Sequence, residues 1–185
     1  MALVVLLGGA RSGKSRLAVE LATGAGAPVT FVATAEGRDA EMRERIRVHR
    51  AERPKDWLTV EEPYALAEAL AGADPHHMVV VDCLALWLAN ALERESDPET
   101  IVGAATTAAQ IAARRPSHTV VVTNEVGLGI VPATPAGREY RDLLGTVNRL
   151  WVERCEEAFL VVAGRALPLS NADVLAPRLA DGATP

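Results

Sequence analysis

The chain has 185 residues, 49% of them apolar and 4% aromatic, and its formal net charge is −5 at pH 7. This length suits one domain with a full hydrophobic core, and the acidic balance argues against nucleic acid as the main partner. We expect no membrane span and no signal peptide, because no run approaches ~20 apolar residues and the N-terminal apolar run is short, without a basic flank. Cys83 and Cys155 lack metal-ligand spacing, so we expect reduced thiols in a cytoplasmic protein.

Short apolar runs, typical of strands buried on both faces, alternate with stretches of helical periodicity. Such alternation favours right-handed crossovers and a mostly parallel sheet. The predicted fold class is α/β, with helices on both faces of the sheet, in a single domain over residues 1–185 whose last dozen residues are loosely ordered. In chain order the predicted elements are strand 3–7, helix 14–22, strand 29–33, helix 39–52, strand 57–61, helix 64–71 opened by Pro63, strand 78–82, helix 84–92, a cap at 96–99, helix 99–113, strand 119–123, helix 135–155, strand 159–163 and strand 166–169.

The segment between the first strand and the first helix has the spacing Gly-x-x-x-x-Gly-Lys-Ser, which is the P-loop pattern. Such a loop points successive backbone N–H groups into one hollow, and the helix N-terminus behind it adds about half a positive charge. Lys14 is then placed to reach the outer phosphates as a catalytic residue, and Ser15 to offer its hydroxyl to Mg²⁺. The sequence therefore predicts a P-loop NTPase-like, nucleotide-binding domain. Its predicted phosphate-binding residues are Gly8, Gly9, Ala10, Arg11, Ser12, Gly13, Lys14 and Ser15.

Two acids follow predicted strands, where ligands of a parallel sheet collect. Asp82 ends a valine-rich strand, and we predict it in the Mg²⁺ shell with Ser15. The alternative for Asp82 is a capping acid for the next helix. Glu125 lies in the loop after the strand at 119–123, and it is either a second acid near the phosphates or a solvated loop carboxylate.

The helix at 39–52 carries a histidine on its inward side. Met42, Ile46, His49 and Arg53 share one stripe by helical spacing, and Arg50 also lies on the side of His49. A neutral imidazole is a competent nucleophile toward phosphorus, and the two arginines would neutralise the phosphate under attack. A structural or merely exposed histidine is the alternative. His76, His77 and His118 receive no function.

Four segments together resemble a known family. They are the P-loop, residues 31–35 (Phe-Val-Ala-Thr-Ala), residues 45–54 (Arg-Ile-Arg-Val-His-Arg-Ala-Glu-Arg-Pro) with Trp57 and 59–61, and residues 121–132 (Val-Val-Thr-Asn-Glu-Val-Gly-Leu-Gly-Ile-Val-Pro). The family is the bifunctional adenosylcobinamide kinase / adenosylcobinamide-phosphate guanylyltransferase family of cobalamin biosynthesis. P-loops are common, whereas the His-Arg-x-x-Arg-Pro and Thr-Asn-Glu-Val-Gly segments are specific.

The resemblance implies two reactions. The family phosphorylates adenosylcobinamide with ATP or GTP, and then transfers GMP from GTP to that phosphate, through a GMP-histidine intermediate, with release of pyrophosphate. The histidine before Arg-x-x-Arg-Pro is the family nucleophile, which here is His49; Val48 stands where some members carry a second histidine. The helix that carries His49 would then have to swing or be delivered to the P-loop, so we expect it to be mobile.

The resemblance also implies nucleotide contacts beyond the P-loop, a P-loop α/β fold and a homo-oligomer, perhaps a trimer, with the active site near a subunit boundary. Two alternatives remain open from the residues themselves: a single-function P-loop kinase or NTPase with a structural His49, and a non-catalytic GTP-binding switch. The implied further contacts are Ala33, Thr34, Ala35, Arg50, Ala51, Glu52, Arg53, Glu61 and Asp82.

Overall fold

A computed structural model describes residues 2–94 and 97–171 of the chain. The described residues form one seven-stranded sheet with six helices. The elements are β1 (Leu3–Leu7), α1 (Lys14–Gly24), β2 (Val29–Ala33), α2 (Ala40–Ala51), β3 (Leu58–Glu61), α3 (Leu66–Gly72), β4 (Met78–Asp82), α4 (Leu84–Arg94), α5 (Pro98–Arg114), β5 (Thr119–Val122), α6 (Pro135–Val152), β6 (Glu157–Val162) and β7 (Arg165–Pro168).

The strands lie in the order β3-β2-β4-β5-β1-β6-β7. All neighbours are parallel except β6 and β7, which form an antiparallel hairpin at one edge. The crossovers after β1 and β2 run in the opposite direction along the sheet from those after β3, β4 and β5. Right-handed crossovers therefore put α1 and α2 on one face and α3 to α6 on the other. The predicted α/β class with helices on both faces is confirmed.

The core lies between the sheet and these helices. The central strands are buried on both faces: Val79, Val80 and Val81 of β4 have no exposed surface. Trp87 and Trp151, the largest buried side chains, fill the α4–α6 side. Burial on both faces explains why these strands read as continuous apolar runs rather than as alternating patterns.

Several element boundaries differ from the prediction by one to three residues, and hydrogen bonds explain the changes in α3 and α6. Helix α3 begins at Leu66 rather than at residue 64, since the carboxylate of Glu62 accepts the N–H groups of Tyr64 and Ala65 at 3.0 and 2.8 Å and holds a turn first. Helix α6 ends at Val152, three residues early. The helix ends there because the following chain joins the sheet, where the N–H of Glu156 donates to the carbonyl oxygen of Leu3 in β1.

The predicted cap before α5 lies partly outside the described residues, but Asp97 is the N-cap: its carboxylate accepts the N–H groups of Glu99 and Thr100, and Pro98 opens the helix. The last dozen residues, predicted to be loosely ordered, lie outside the described part of the chain. Within residues 2–94 and 97–171, no helix combines the length and the apolar character that a bilayer crossing needs.

Arg115, 8% exposed, closes the C-terminal end of α3. One of its terminal nitrogens donates to the carbonyl oxygens of Leu70 and Ala73 at 2.8 and 3.1 Å. The other donates to those of Asp74 and His77 at 2.7 and 3.1 Å. One side chain thus supplies donors to four backbone oxygens at the end of the helix and in its exit turn, where helical hydrogen bonding stops.

We predict that Arg115→Met lowers the free energy of unfolding by about 3 kcal/mol, because buried carbonyl oxygens lose charged donors. Urea denaturation followed by circular dichroism measures this change. The neighbouring Arg114→Met, at an exposed position, serves as the control and changes stability little. Equal stabilities of the two variants would contradict the role of Arg115.

Candidate active site

The loop between β1 and α1 adopts a shape that its glycines permit. Gly8 and Gly13 have φ of 155° and 100°. A Cβ at Gly8 would lie 2.3 Å from the carbonyl oxygen of Val161 in β6, so only glycine fits there. Gly13 is the N-cap of α1, and no side chain among the described residues caps this helix end. The first-turn N–H groups of α1 are therefore free to bind an anion.

Lys14 lies beneath this loop and is 5% exposed. Its Nζ donates to the carbonyl oxygens of Gly8 and Gly9 at 2.8 and 2.7 Å. Burial lowers the pKa of Lys14, the carboxylate of Asp82 opposes that change, and the positive charge of Arg45 adds to it. The ammonium group thus rests on neutral carbonyl groups, which a phosphate would replace as its partner.

Two adjoining cavities open beside the P-loop, with volumes of about 340 and 220 Å³. We call them the larger and the smaller cavity. They share four lining residues, Ser15, His49, Arg53 and Asp82. The structure therefore brings the predicted Mg²⁺ ligands Ser15 and Asp82 to the same place as the predicted nucleophile, although they come from three separate elements.

The buried residue Thr34, which directly follows β2, holds the backbone around Asp82. The Thr34 hydroxyl donates to the carbonyl oxygen of Cys83 at 2.7 Å and accepts the Cys83 N–H at 2.8 Å. The Thr34 N–H donates to the backbone carbonyl oxygen of Asp82, and the Thr34 carbonyl oxygen accepts from the buried side chain of Asn90 at 2.8 Å. Every polar group of Thr34 thus has a partner in the protein. Its neighbours Ala33 and Ala35, not Thr34, line the larger cavity.

Helix α2 contributes lining residues to both cavities and has no buried residue. Its half-buried residues are Met42, Ile46 and His49, and Arg53 beyond its end is also half-buried. This is the stripe that the helical spacing predicts. Asp39 starts the helix by accepting the N–H of Met42 at 2.7 Å.

The His49 side chain is 36% exposed, and its Nδ1 lies 3.5 Å from a carboxylate oxygen of Glu52. The ring is therefore not sealed in hydrophobic packing. The family resemblance predicts that α2 moves to bring His49 to the P-loop. In the structure, His49 already lines the same cavities as Ser15, because α2 returns from β2 at the edge of the sheet where β1 and β4 also end.

The arginines beside His49 have different partners. Arg50 forms an exposed ion pair with Glu61 at 3.1 Å, and both line the larger cavity. Arg53 lies over the Phe31 ring, with its guanidinium carbon 3.5 Å from the ring centre. Burial lowers the pKa of Arg53, and Asp82 partly opposes this effect.

Among the other implied contacts, Glu52 lines the smaller cavity, whereas Ala51 is exposed at the end of α2 and lines neither. Glu125 is next to the P-loop through its backbone, since its N–H donates to Gly8 at 3.0 Å. Its carboxylate, however, accepts the N–H of Gly127 in its own loop and lines neither cavity.

Arg45 is a cavity residue that is not among the site residues predicted from the sequence. It lies one helical turn before His49 on α2 and lines the larger cavity with Ser15 and Asp82. The same i, i+4 spacing that identified the stripe also puts Arg45 near His49, so this signal was present in the sequence.

Comparison of the whole sequence with known proteins identifies a family and two similar relatives. The family model described as cobinamide kinase / cobinamide phosphate guanyltransferase matches residues 4–169. The bifunctional adenosylcobalamin biosynthesis protein CobP of Pseudomonas aeruginosa is 44% identical over 168 residues, which is 90% of this chain and 96% of that protein. The bifunctional adenosylcobalamin biosynthesis protein CobU of Escherichia coli is 37% identical over 175 residues, 88% of this chain and 96% of that protein.

Solved structures resemble the chain in fold. A prototypical ATPase from the type III secretion system of pathogenic bacteria superposes with a TM-score of 0.52 at 14% identity, covering 86% of this chain and 51% of that one. Another solved ATPase domain superposes with a TM-score of 0.53 at 10% identity, covering 86% of this chain and 68% of that one. At such low identity the likeness concerns the fold alone, and it agrees with the P-loop NTPase-like class predicted from the sequence.

We predict that Thr34→Val lowers the free energy of unfolding by about 2 kcal/mol, because the buried N–H and carbonyl groups of Cys83 lose their hydroxyl partner. Thr34→Ser is the matched control, since it keeps the hydroxyl, and it should recover most of that loss. Urea titration of the three proteins measures the difference. A Thr34→Val protein as stable as the serine variant would show that these hydrogen bonds are unimportant.

Proposed function

The chain belongs to the cobinamide kinase / cobinamide phosphate guanyltransferase family, and from this premise we propose that it transfers GMP through His49 after phosphorylating adenosylcobinamide at the same P-loop. The family model matches residues 4–169, and members of this family are bifunctional enzymes. The chain is therefore a kinase and a guanylyltransferase. The observation that carries the role of His49 is its position: it lines both cavities together with Ser15 and Asp82.

In the proposed guanylyl transfer, a ring nitrogen of His49 attacks the α-phosphorus of GTP. A phosphorus–nitrogen bond forms while the bond from that phosphorus to the bridging oxygen breaks, and pyrophosphate leaves with the electron pair. A phosphate oxygen of adenosylcobinamide phosphate then attacks the same phosphorus, and the phosphorus–nitrogen bond breaks. One histidine thus divides a hard displacement between two anions into two easier steps.

The cations around the cavities support this chemistry. The uncapped N–H groups at the start of α1 and the buried ammonium of Lys14 would hold the triphosphate tail. Arg50 and Arg53 follow His49 and line the larger cavity. Their charges would offset the negative charge of the phosphate under attack. Exchange of the Arg50–Glu61 pair for a phosphate partner requires only side-chain motion, because both side chains are exposed.

The residues fit a Mg²⁺ ion bound with the nucleotide. The Ser15 hydroxyl and the Asp82 carboxylate are oxygen donors on the same cavities. No group of three or more His, Cys, Asp or Glu side chains within the described residues could hold a metal alone. A Mg²⁺ held partly by protein oxygens and partly by phosphates and water matches this donor set. When bound, it supplies neutralisation of the charge on the phosphate oxygens.

The kinase step requires positioning rather than a covalent intermediate, so we assign it to the P-loop, Ser15 and Asp82 without His49. We propose ATP or GTP as the phosphate donor and a homo-oligomer, perhaps a trimer, as the active assembly. Both cysteines are free thiols. A cytoplasmic location is our proposal from that chemistry.

We predict that GTP labelled at the α-phosphate transfers label to the wild-type protein, and that the bound label is acid-labile and alkali-stable, as a phosphorus–nitrogen bond to histidine requires. His49→Ala should abolish this labelling while the kinase activity on adenosylcobinamide persists. His76→Ala is the control, because His76 is exposed in a turn away from both cavities.

Failure of the wild-type protein to take up label, with Mg²⁺ and GTP present in excess, would overturn guanylyl transfer through histidine and leave a P-loop kinase. Equal losses of both activities in His49→Ala would contradict the division of the two reactions between different residues.

We further predict that Lys14→Ala removes both activities, with a loss of about 3 kcal/mol or more of phosphate stabilisation. Steady-state kinetics of each half-reaction measures the loss. Lys55→Ala is a matched control, since Lys55 is the second lysine of the chain and is exposed. A kinase activity that survives in Lys14→Ala would show that the phosphates bind elsewhere.

A further inference from the structure

Helix α2 carries four arginines, and three of them have partners in the protein. Arg43 donates to the carbonyl oxygens of Gly37 and Arg38, Arg47 pairs with Glu44, and Arg50 pairs with Glu61. Arg45 is the fourth. Within residues 2–94 and 97–171 it has neither a hydrogen bond nor an ion pair.

The position of Arg45 distinguishes it from an ordinary surface arginine. It lines the larger cavity together with Ser15 and Asp82, although its residue is exposed overall. On the helix it precedes His49 by four residues, so the two side chains lie one turn apart on the same side. Nucleophile and cation therefore share one rigid element.

The charges around Arg45 point to an anionic ligand. The positive charge of Arg45 contributes to lowering the pKa of Lys14, whose amino group lies beneath the P-loop. The acids of the larger cavity are Glu61, which is paired with Arg50, and Asp82, which we assign to Mg²⁺. Lys14 donates only to neutral groups of its own loop, and Arg45 has no acceptor among the described residues, so an anion that reaches both cations is stabilised by both charges.

We propose that Arg45 is a catalytic residue of guanylyl transfer, which donates to the phosphate oxygens of the bound triphosphate and stabilises the leaving pyrophosphate. This inference rests on the function proposed above. As His49 bonds to the α-phosphorus and the bond to the bridging oxygen breaks, negative charge accumulates on pyrophosphate. The planar guanidinium, with five N–H donors, suits two phosphate oxygens at once. Lys14 and Arg45 then both stabilise pyrophosphate, Lys14 from the P-loop and Arg45 from the helix that carries the nucleophile.

The test compares single-turnover labelling by α-labelled GTP in wild type, Arg45→Ala, Arg45→Lys and Arg47→Ala. Arg47 is the matched control, because it is an exposed arginine on the same helix, is paired with Glu44 and lines neither cavity. We expect labelling to slow by about 100-fold in Arg45→Ala, as for loss of one donor to a developing charge, and to remain near wild type in Arg47→Ala. Arg45→Lys keeps the charge without the fork geometry and should fall between them.

Two further measurements separate catalysis from folding. Added guanidinium ion should restore part of the rate in Arg45→Ala, which a purely structural defect would not allow. Cleavage of the isolated GMP-enzyme by pyrophosphate should require a higher pyrophosphate concentration for half-maximal rate in Arg45→Ala than in wild type.

The outcomes are distinct. Labelling of Arg45→Ala at the wild-type rate, or a loss that Arg47→Ala shares, overturns the role of Arg45 while leaving transfer through His49 intact. A wild-type protein that takes up no label overturns the proposed function itself, and the role of Arg45 with it. A slowed Arg45→Ala that guanidinium rescues, with an unchanged urea midpoint, supports the proposal.

Discussion

Parallel hydrogen bonding of β1, β5, β4 and β2 brings the carboxyl ends of these strands to one edge of the sheet. The P-loop follows β1, Asp82 ends β4, and the segment leading to α2 follows β2. These pieces are far apart in the chain, and the shared strand direction is what makes them neighbours. A reversal of any of these strands would carry its functional residues to the opposite edge.

The site has one half anchored in the core and one half attached at the surface. The P-loop lysine, Thr34 and Cys83 are buried, and hydrogen bonds to backbone groups hold them. Helix α2 buries no residue at all. The two proposed reactions use these halves differently. Phosphoryl transfer needs only the anchored half, whereas guanylyl transfer also needs His49 on the exposed helix. Elements with few buried contacts open at low free-energy cost, which suits a helix that must admit and release two substrates.

Positive charge dominates the space between these halves, and several of its cations have partners that an anion can replace or supplement. Lys14 rests on carbonyl groups, Arg50 on an exposed glutamate, and Arg53 on an aromatic ring. Only weak or neutral partners are lost when phosphate enters, so the electrostatic gain of binding is largely retained. The whole chain has a net charge of −5, so anionic ligands are attracted to this local group of cations rather than to the rest of the surface.

The sequence by itself determined the features that depend on local spacing. The P-loop is a contiguous pattern with a known backbone requirement, the strand–helix alternation indicates the fold class, and the period of 3.6 residues placed Met42, Ile46, His49 and Arg53 on one stripe of α2. Only the tertiary structure decided that Thr34 turns its hydroxyl to Cys83 rather than to the site, that Arg45 is left without a partner among the described residues, and that β6 begins where Glu156 reaches β1. These facts depend on which distant residues become neighbours. Strand order and crossover direction set those neighbours through contacts across the whole chain, and no local pattern records them.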